Sequence, residues 1–254
     1  MAVASRLAGR TAIVTGAGAG IGAAIARRFG EEGAWVACFD IDSAAAAKTA
    51  GALPNGGTAY AADVSDEKSV EAALKAVAAD RGALHILVNN AGIAGPQSPA
   101  EITPLPEWQR TIEINLTGTF LMSKHALPHL QRTRGSIINI ASSLALIGWR
   151  NECAYGPSKA GVVQFTKSMA LDYAATIRVN CVCPGAVRTP MISSVLPEGT
   201  DVEALLKEYG KIHPLYQRLA EPSEIADAVL FLASDDASLI TGAALTVDAG
   251  FTAG

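Results

Sequence analysis

Tyr155 and Lys159 stand four residues apart in the run YGPSK, downstream of Ser142. In a helix four residues make about one turn, so the phenol and the ammonium rise from the same face. A fixed positive charge favours phenolate over phenol, and the two side chains then form an acid/base pair suited to an alcohol or a carbonyl. Ser142 closes a short apolar run, Ser136 to Ala141, and supplies a hydroxyl at what reads as a strand end. A Tyr-x-x-x-Lys spacing arises readily by chance, so the elements that would position it must carry their own signals.

The first such signal lies near the N-terminus. Thr11 to Thr15 is a β-branched run that breaks into Gly16-Ala-Gly-Ala-Gly20-Ile21-Gly22, followed by a helical pattern through Ile25, Ala26 and Phe29 to Gly33. Strand, glycine turn and helix form the context of a phosphate-binding loop. The glycines permit the turn, and the helix N-terminus offers free N–H groups and a positive dipole to a pyrophosphate. The usual dinucleotide pattern fits loosely, as Gly18-x-Gly20-x-x-Ala23, whereas T-G-x-x-x-G-I-G fits fully.

A second strand, Ala34 to Phe39, ends in Asp40. Its carboxylate is placed to accept hydrogen bonds from an adenosine ribose; the plainer alternative is a helix cap before Ser43. A phosphate on that ribose would cost roughly 3 kcal/mol per unit charge at ~5 Å and an effective dielectric of about 20. No Arg or Lys stands between Gly16 and Gly22 or just after Asp40. The segment therefore favours NAD over NADP.

A third strand, Thr58 to Ala62, leads to Asp63-Val64, with Ser65 as the expected cap of a helix from Asp66 to Asp80. A fourth, Leu84 to Val88, runs into Asn89-Asn90-Ala91-Gly92, small and amide residues that suit close packing around a ligand or an ordinary turn. Prolines keep 93–106 irregular, and a long helix follows from about Glu107 to Leu130. Within it Asn115 interrupts an apolar stretch and marks either a structural polar contact or a kink at a site. His125 and His129 are one turn apart without a third ligand nearby, and the four cysteines lack metal-ligand spacing, so no metal is expected. Cys181 and Cys183 alternate on an apparent sixth strand, Ile177 to Cys183, and read as core thiols.

The chain has 254 residues, half of them apolar and 17% charged, with a net charge of −4. That suits one α/β domain and excludes the basic surface that nucleic acid or an acidic membrane requires. No apolar run approaches a membrane span, and MAVASRLAGR carries no secretory core. The expectation is a reduced, cytoplasmic protein.

Gly16 to Gly22, Asp63, Asn89 to Gly92, Asn115, Ser142, Tyr155 and Lys159 occur together in this order. In that set the chain resembles the short-chain dehydrogenase/reductase family, its NAD-linked branch of about 250 residues, over essentially its whole length. The resemblance implies an α/β, Rossmann-type doubly wound fold: a seven-stranded parallel sheet with helices on both faces, in a single domain spanning 1–254. It implies that Tyr155 is the acid/base and that Lys159 lowers its pKa while holding the nicotinamide ribose. Ser142 would bind the substrate oxygen, and Asn115 would hold a water of a proton relay. Asn89, Ala91 and Gly92 would line the cofactor, and Pro184, Gly185, Val187 and Thr189 would flank the nicotinamide. Residues 191–217 correspond to a substrate lid, and relatives are mostly homotetramers built through the helices near 107–130 and 155–174.

Pro157 stands where many relatives carry Ala, a change that the first turn of a helix tolerates. By position, Gln97, Leu144, Trp149, Glu152, Ala186, Met191 and Tyr216 are the candidate substrate contacts. The expected activity is hydride exchange between a secondary alcohol or ketone and NAD. The rivals are a 3-oxoacyl-carrier-protein reductase, which Asp40 disfavours because those relatives mostly use NADPH, and a non-catalytic dinucleotide sensor, which would need no acid/base set.

Overall fold

Strand β1, Thr11–Thr15, is buried at all five positions, and it lies in the middle of a sheet of seven parallel strands. The computed structural model describes residues 5–194 and 201–254. The other strands are β2 (Trp35–Asp40), β3 (Gly57–Ala61), β4 (Ile86–Asn89), β5 (Ser136–Ile140), β6 (Arg178–Pro184) and β7 (Ala244–Val247), in the order β3-β2-β1-β4-β5-β6-β7. The order reverses between β1 and β4, which opens a crevice outside their carboxyl ends, the place where such sheets bind ligands. All seven strands match the expected doubly wound architecture.

Strand residues alternate between two cores, as a sheet covered on both faces requires. Ala12, Val14, Val36, Cys38 and Ile138 pack with Ile25 and Phe29 of α1 (Gly20–Glu31) and Val229 of α9 (Pro222–Ala233). Ile13, Ala37, Phe39 and Ile137 pack on the other side with Val70 and Leu74 of α3 (Glu67–Arg81) and Met122 of α5 (Gly118–Thr133). Cys181 and Cys183 fill a third, small cluster with Val162 and Val163 of α6 (Tyr155–Asp172).

Local chemistry sets the helix starts. Asp42, not Asp40, caps α2 (Ser43–Gly51), its side chain accepting from the N–H groups of Ala44 and Ala45. Asp40 is thus released from the capping role. The cap of α3 is Asp66 rather than the expected Ser65. The Ser65 hydroxyl instead donates to Asp63 at 2.6 Å, because a carboxylate two residues away is its nearer partner. The long helix begins at Leu105, since Pro106 fits its first turn, and runs as α4 (Leu105–Ile112), a π-helical turn over Glu113–Thr117, and α5. Pro157 likewise sits in the first turn of α6. No helix among the described residues is long and apolar enough to cross a membrane. The short helices α7 (Pro190–Ser194) and α8 (Val202–Gly210) belong to the expected lid; its residues 195–200, Pro197 and Gly199 among them, lie outside the described residues.

Candidate active site

Ser142 follows the carboxyl end of β5 and is held by the N–H of Leu144, which donates to its Oγ at 3.1 Å. Tyr155 opens α6, and Lys159 follows one turn later, so sequence spacing becomes spatial neighbourhood: the Lys159 Nζ lies 5.8 Å from the Tyr155 ring centre. Lys159 is only 4% exposed and donates to the Ile140 carbonyl at 2.8 Å, which ties the ammonium to the strand end.

Burial governs both groups. It pushes the Tyr155 phenol up to about 12; a hydrogen bond with Ser142 opposes this, and the charge of Glu152 adds to it. Burial pushes Lys159 down to about 8. The sequence led us to expect a lowered tyrosine. Among the protein's own groups desolvation is the largest influence, because the buried phenolate loses its hydration.

Asn115 is fully buried in the π-helical turn, an irregularity within the long helix, and it makes a structural polar contact. Its amide accepts from the Ile93 N–H at 2.8 Å and donates to the Ile93 carbonyl and the Ser158 hydroxyl, each at 3.0 Å. Ser158 in turn donates to the Tyr155 carbonyl at 2.7 Å. Thus the loop after β4, the π-helical turn and the start of α6 are stitched at one point. A second buried chain runs from Thr166 through Asn139 and Asn89 to Ser123, tying α6 to α5 across two strands. Asn89 therefore packs inside the sheet rather than lining the cleft.

The neighbouring Asn90, which sequence reasoning left among the general turn residues, makes the more telling contacts. Its side chain donates to the carbonyl of Thr15 at 2.9 Å and of Gly16 at 3.3 Å, while the Thr15 hydroxyl accepts from the N–H groups of Asn90 and Ala91. The glycine turn is thereby clamped to the end of β4. The signal was the second amide of Asn89-Asn90.

Two adjoining cavities share Ile21, Asn90, Thr189 and Met191 and make one cleft along the sheet's carboxyl edge. Its far end is lined by Gly16, Gly20, Asp40, Asp63, Val64, Ala91 and Gly92. Gly22 lies behind the turn, where a Cβ would overlap the Gly16 carbonyl oxygen. The N-terminus of α1 has no side-chain cap and no acidic residue in its first turn, which leaves its amides and dipole open to an anion. Asp40 accepts from the N–H of Gly18 at 2.8 Å and of Asp42 at 3.0 Å, and a Cβ at Gly18 would come within 2.8 Å of that carboxylate. The cleft has the uncapped helix end and the strand-end carboxylate that a nicotinamide dinucleotide requires, so the residues fit that cofactor.

The near end holds Ser142, Tyr155 and Lys159 together with Pro184, Gly185, Val187 and Thr189. Of the expected substrate contacts, Gln97, Leu144, Trp149, Glu152, Ala186 and Met191 line this pocket. Tyr216 does not: it is 75% exposed, with its backbone in the left-handed region, and the Arg218 guanidinium lies over its ring. The turn at 213–218 swings it outward, and other residues fill the place expected for it.

Sequence reasoning missed Ile192, Tyr209, Ile212 and Phe251, which complete the wall. Phe251 stacks edge-on against Trp149 at 5.5 Å and against His213 at 6.2 Å. Buried His213 accepts from the Ala186 N–H at 3.0 Å and donates to the Arg218 carbonyl at 2.7 Å, fixing the loop after β6. The ring of His125 lies against Glu67 and Glu71 of α3, carboxylates that the sequence spacing did not place beside it.

Comparison with known proteins agrees with this geometry. A family model described as enoyl-(acyl carrier protein) reductase matches residues 16–252. The chain is 45% identical to a cis-4-hydroxycyclohexanecarboxylate dehydrogenase of Sinomonas cyclohexanicum, over 96% of this chain and 97% of that protein. It is similar to the aldohexose dehydrogenase of Thermoplasma acidophilum, with a TM-score of 0.90, 39% identity, and coverage of 99% of this chain and 97% of the other. It is also similar to a 3-ketoacyl-(acyl-carrier-protein) reductase from Brucella melitensis complexed with NADH, with a TM-score of 0.90, 36% identity, and 97% and 99% of the two chains covered.

Proposed function

The chain belongs to the short-chain dehydrogenase/reductase family, and from that premise we propose that it is an NAD(H)-dependent dehydrogenase of secondary alcohols whose proton carrier is Tyr155. One observation carries the reading: Ser142, Tyr155 and Lys159 meet at one end of a cleft whose other end is Asp40. It is an oxidoreductase acting on CH–OH groups, as its relatives' names state for them.

The α1 N-terminus and Gly16 to Gly22 would hold the pyrophosphate, Asp40 the adenosine ribose, and Asp63, Val64, Ala91 and Gly92 the adenine side. Pro184, Gly185, Val187 and Thr189 flank the nicotinamide. A bound oxidised nicotinamide would supply the hydride acceptor and a positive charge at this end of the cleft. Ser142 holds the substrate oxygen beside Tyr155, and Tyr155 takes the hydroxyl proton as the carbonyl forms. Lys159 keeps its charge below about pH 8 and so supports phenolate character through the neutral range. Asn115 orients the backbone behind Lys159 and holds the relay water.

Asp40 supports NAD over NADP through its charge and through the close packing of Gly18 against it. The reading further includes a single domain over 1–254, a lid from 191 to 217, a homotetramer and a cytoplasmic location. Phe120, Leu171 and Leu105, exposed on the helices that would form the interface, support the assembly. The structure of a 3-ketoacyl reductase with NADH bound means that Asp40 alone does not exclude that rival; the ring-alcohol and sugar dehydrogenases among the relatives favour the alcohol reading.

The test is reduction of NAD⁺ and of NADP⁺ against polyols, hydroxy acids, cyclic alcohols and hydroxysteroids. Turnover of a secondary alcohol with NAD⁺ preferred by about tenfold or more is expected from the charge at Asp40. Equal use of the two cofactors would sink the assignment.

A further inference from the structure

Polarity is unevenly spread in the substrate pocket. Leu144, Trp149, Met191, Ile192, Ile212 and Phe251 give it an apolar wall, in which Trp149 and Phe251 stack edge to face. Beyond the Ser142–Tyr155–Lys159 set, one polar pair stands out in the loop region: Gln97 and Glu152. Gln97 donates to the Glu152 carboxylate at 3.2 Å, and the backbone of Glu152 pairs with that of Ser98, so the residue is tied to the 97–98 loop through both its side chain and its main chain.

Burial and the Gln97 amide are the influences on Glu152, and burial pushes its carboxyl up to about 7. No ion pair with Glu152 occurs among the described residues, so at higher pH its charge has no salt-bridge partner in the pocket wall. A carboxylate repels a second carboxylate and accepts hydrogen bonds from hydroxyls, and an amide beside it extends the same recognition to a neighbouring oxygen. Aromatic faces accommodate the C–H faces of a saturated ring.

We propose that Glu152, with Gln97, is the specificity-determining group of this pocket and selects an uncharged ring bearing a second hydroxyl over a ring bearing a carboxylate. This rests on the alcohol-dehydrogenase reading above. The substrate in the name of the hydroxycyclohexanecarboxylate relative does not carry over to this chain by likeness alone, since a shared fold leaves the wall of the pocket free to differ.

The test compares cyclohexanol, a vicinal cyclohexanediol and the hydroxycyclohexanecarboxylate of the same substitution as substrates with NAD⁺, at about pH 8, where Glu152 is largely ionised. The diol should exceed the carboxylate by about thirtyfold in kcat/KM, and cyclohexanol by about tenfold. Glu152→Gln keeps the shape and removes the charge, and should shrink the diol-to-carboxylate ratio about tenfold; Glu152→Lys should invert it. A second readout needs no turnover: titration of the diol and the carboxylate into the enzyme–NADH complex, followed by nucleotide fluorescence. If none of the alcohols is oxidised, the dehydrogenase reading fails by itself, and the titration still decides this proposal. A carboxylate bound as tightly as the diol, no diol binding, or a ratio that Glu152→Gln leaves within about twofold overturns it.

Discussion

The two ends of the cleft are built from different materials. At the Asp40 end the main chain does most of the work: a glycine turn, open helix amides, and Asn90 clamping the carbonyls of Thr15 and Gly16. At the Tyr155 end, side chains do it, drawn from the loops near 97 and 149–152, from α6, from α8 and from the C-terminal Phe251. A backbone site admits few sequences, because a single Cβ blocks it. A side-chain site admits many, which suits a cofactor shared across a family and a substrate that varies within it.

The sharpest test of that division is Tyr155→Phe. It removes the proton carrier and keeps the ring and its packing. The kcat should fall by about a hundredfold or more, while NADH binding stays within a few-fold. Retention of more than about a tenth of the activity would mean that another group moves the proton.

Gly22→Ala attacks the other end. The added methyl would overlap the Gly16 carbonyl oxygen, backbone that Asn90 holds in place, so the turn must shift. NADH affinity should drop about thirtyfold and stability by about 2 kcal/mol, as overpacking against fixed atoms costs. Unchanged NADH binding, measured by fluorescence titration, would show that the turn is softer than its contacts imply.

This contrast also explains what the sequence revealed. The seven strands, the phosphate loop and the Ser142–Tyr155–Lys159 set were legible because each depends on local pattern: β-branched runs, glycines at a turn, one helical turn between phenol and ammonium. Asp40 was legible as a strand-end carboxylate, although only the structure shows that Asp42 takes the capping role. Phe251, which lines the pocket, and His213, which supports it from behind, were not legible, because folding of the C-terminal tail and the 210–218 segment brings them there. Tyr216 was misplaced for the same reason: its direction is set by left-handed backbone at 216 and 217, which no local pattern announces. Burial, which raises the tyrosine's pKa, was not legible either, because it is a property of the assembled site and not of the Tyr-x-x-x-Lys spacing.

Asp40→Ala sharpens the comparison from the cofactor side with a smaller effect. Loss of the charge should narrow the preference for NAD over NADP by about tenfold in kcat/KM, mainly through better use of NADP. A preference that survives intact would move the discrimination to the packing of Ala45 and Gly18 around the ribose.

The smallest expected effect lies at the substrate end, in stability rather than turnover. Burial raises the Glu152 carboxyl from its ordinary 4.5 to about 7. A carboxyl whose folded pKa is raised binds its proton more tightly in the folded state. Its contribution is therefore fully present below about 4.5 and is lost as pH rises through about 7. Above that pH the fold carries a desolvated carboxylate. Glu152→Gln, which cannot ionise, should thus gain on the unaltered protein between about pH 5 and pH 8, by about 1 kcal/mol after discounting for partial solvent access. Urea unfolding of both proteins at the two pH values measures the change in their difference, so any fixed loss from altering the Gln97 contact cancels. A difference that stays constant with pH would mean that Glu152 is solvated in the folded protein. The substrate end would then resemble an ordinary surface groove, with no charge held in its wall to select among ligands.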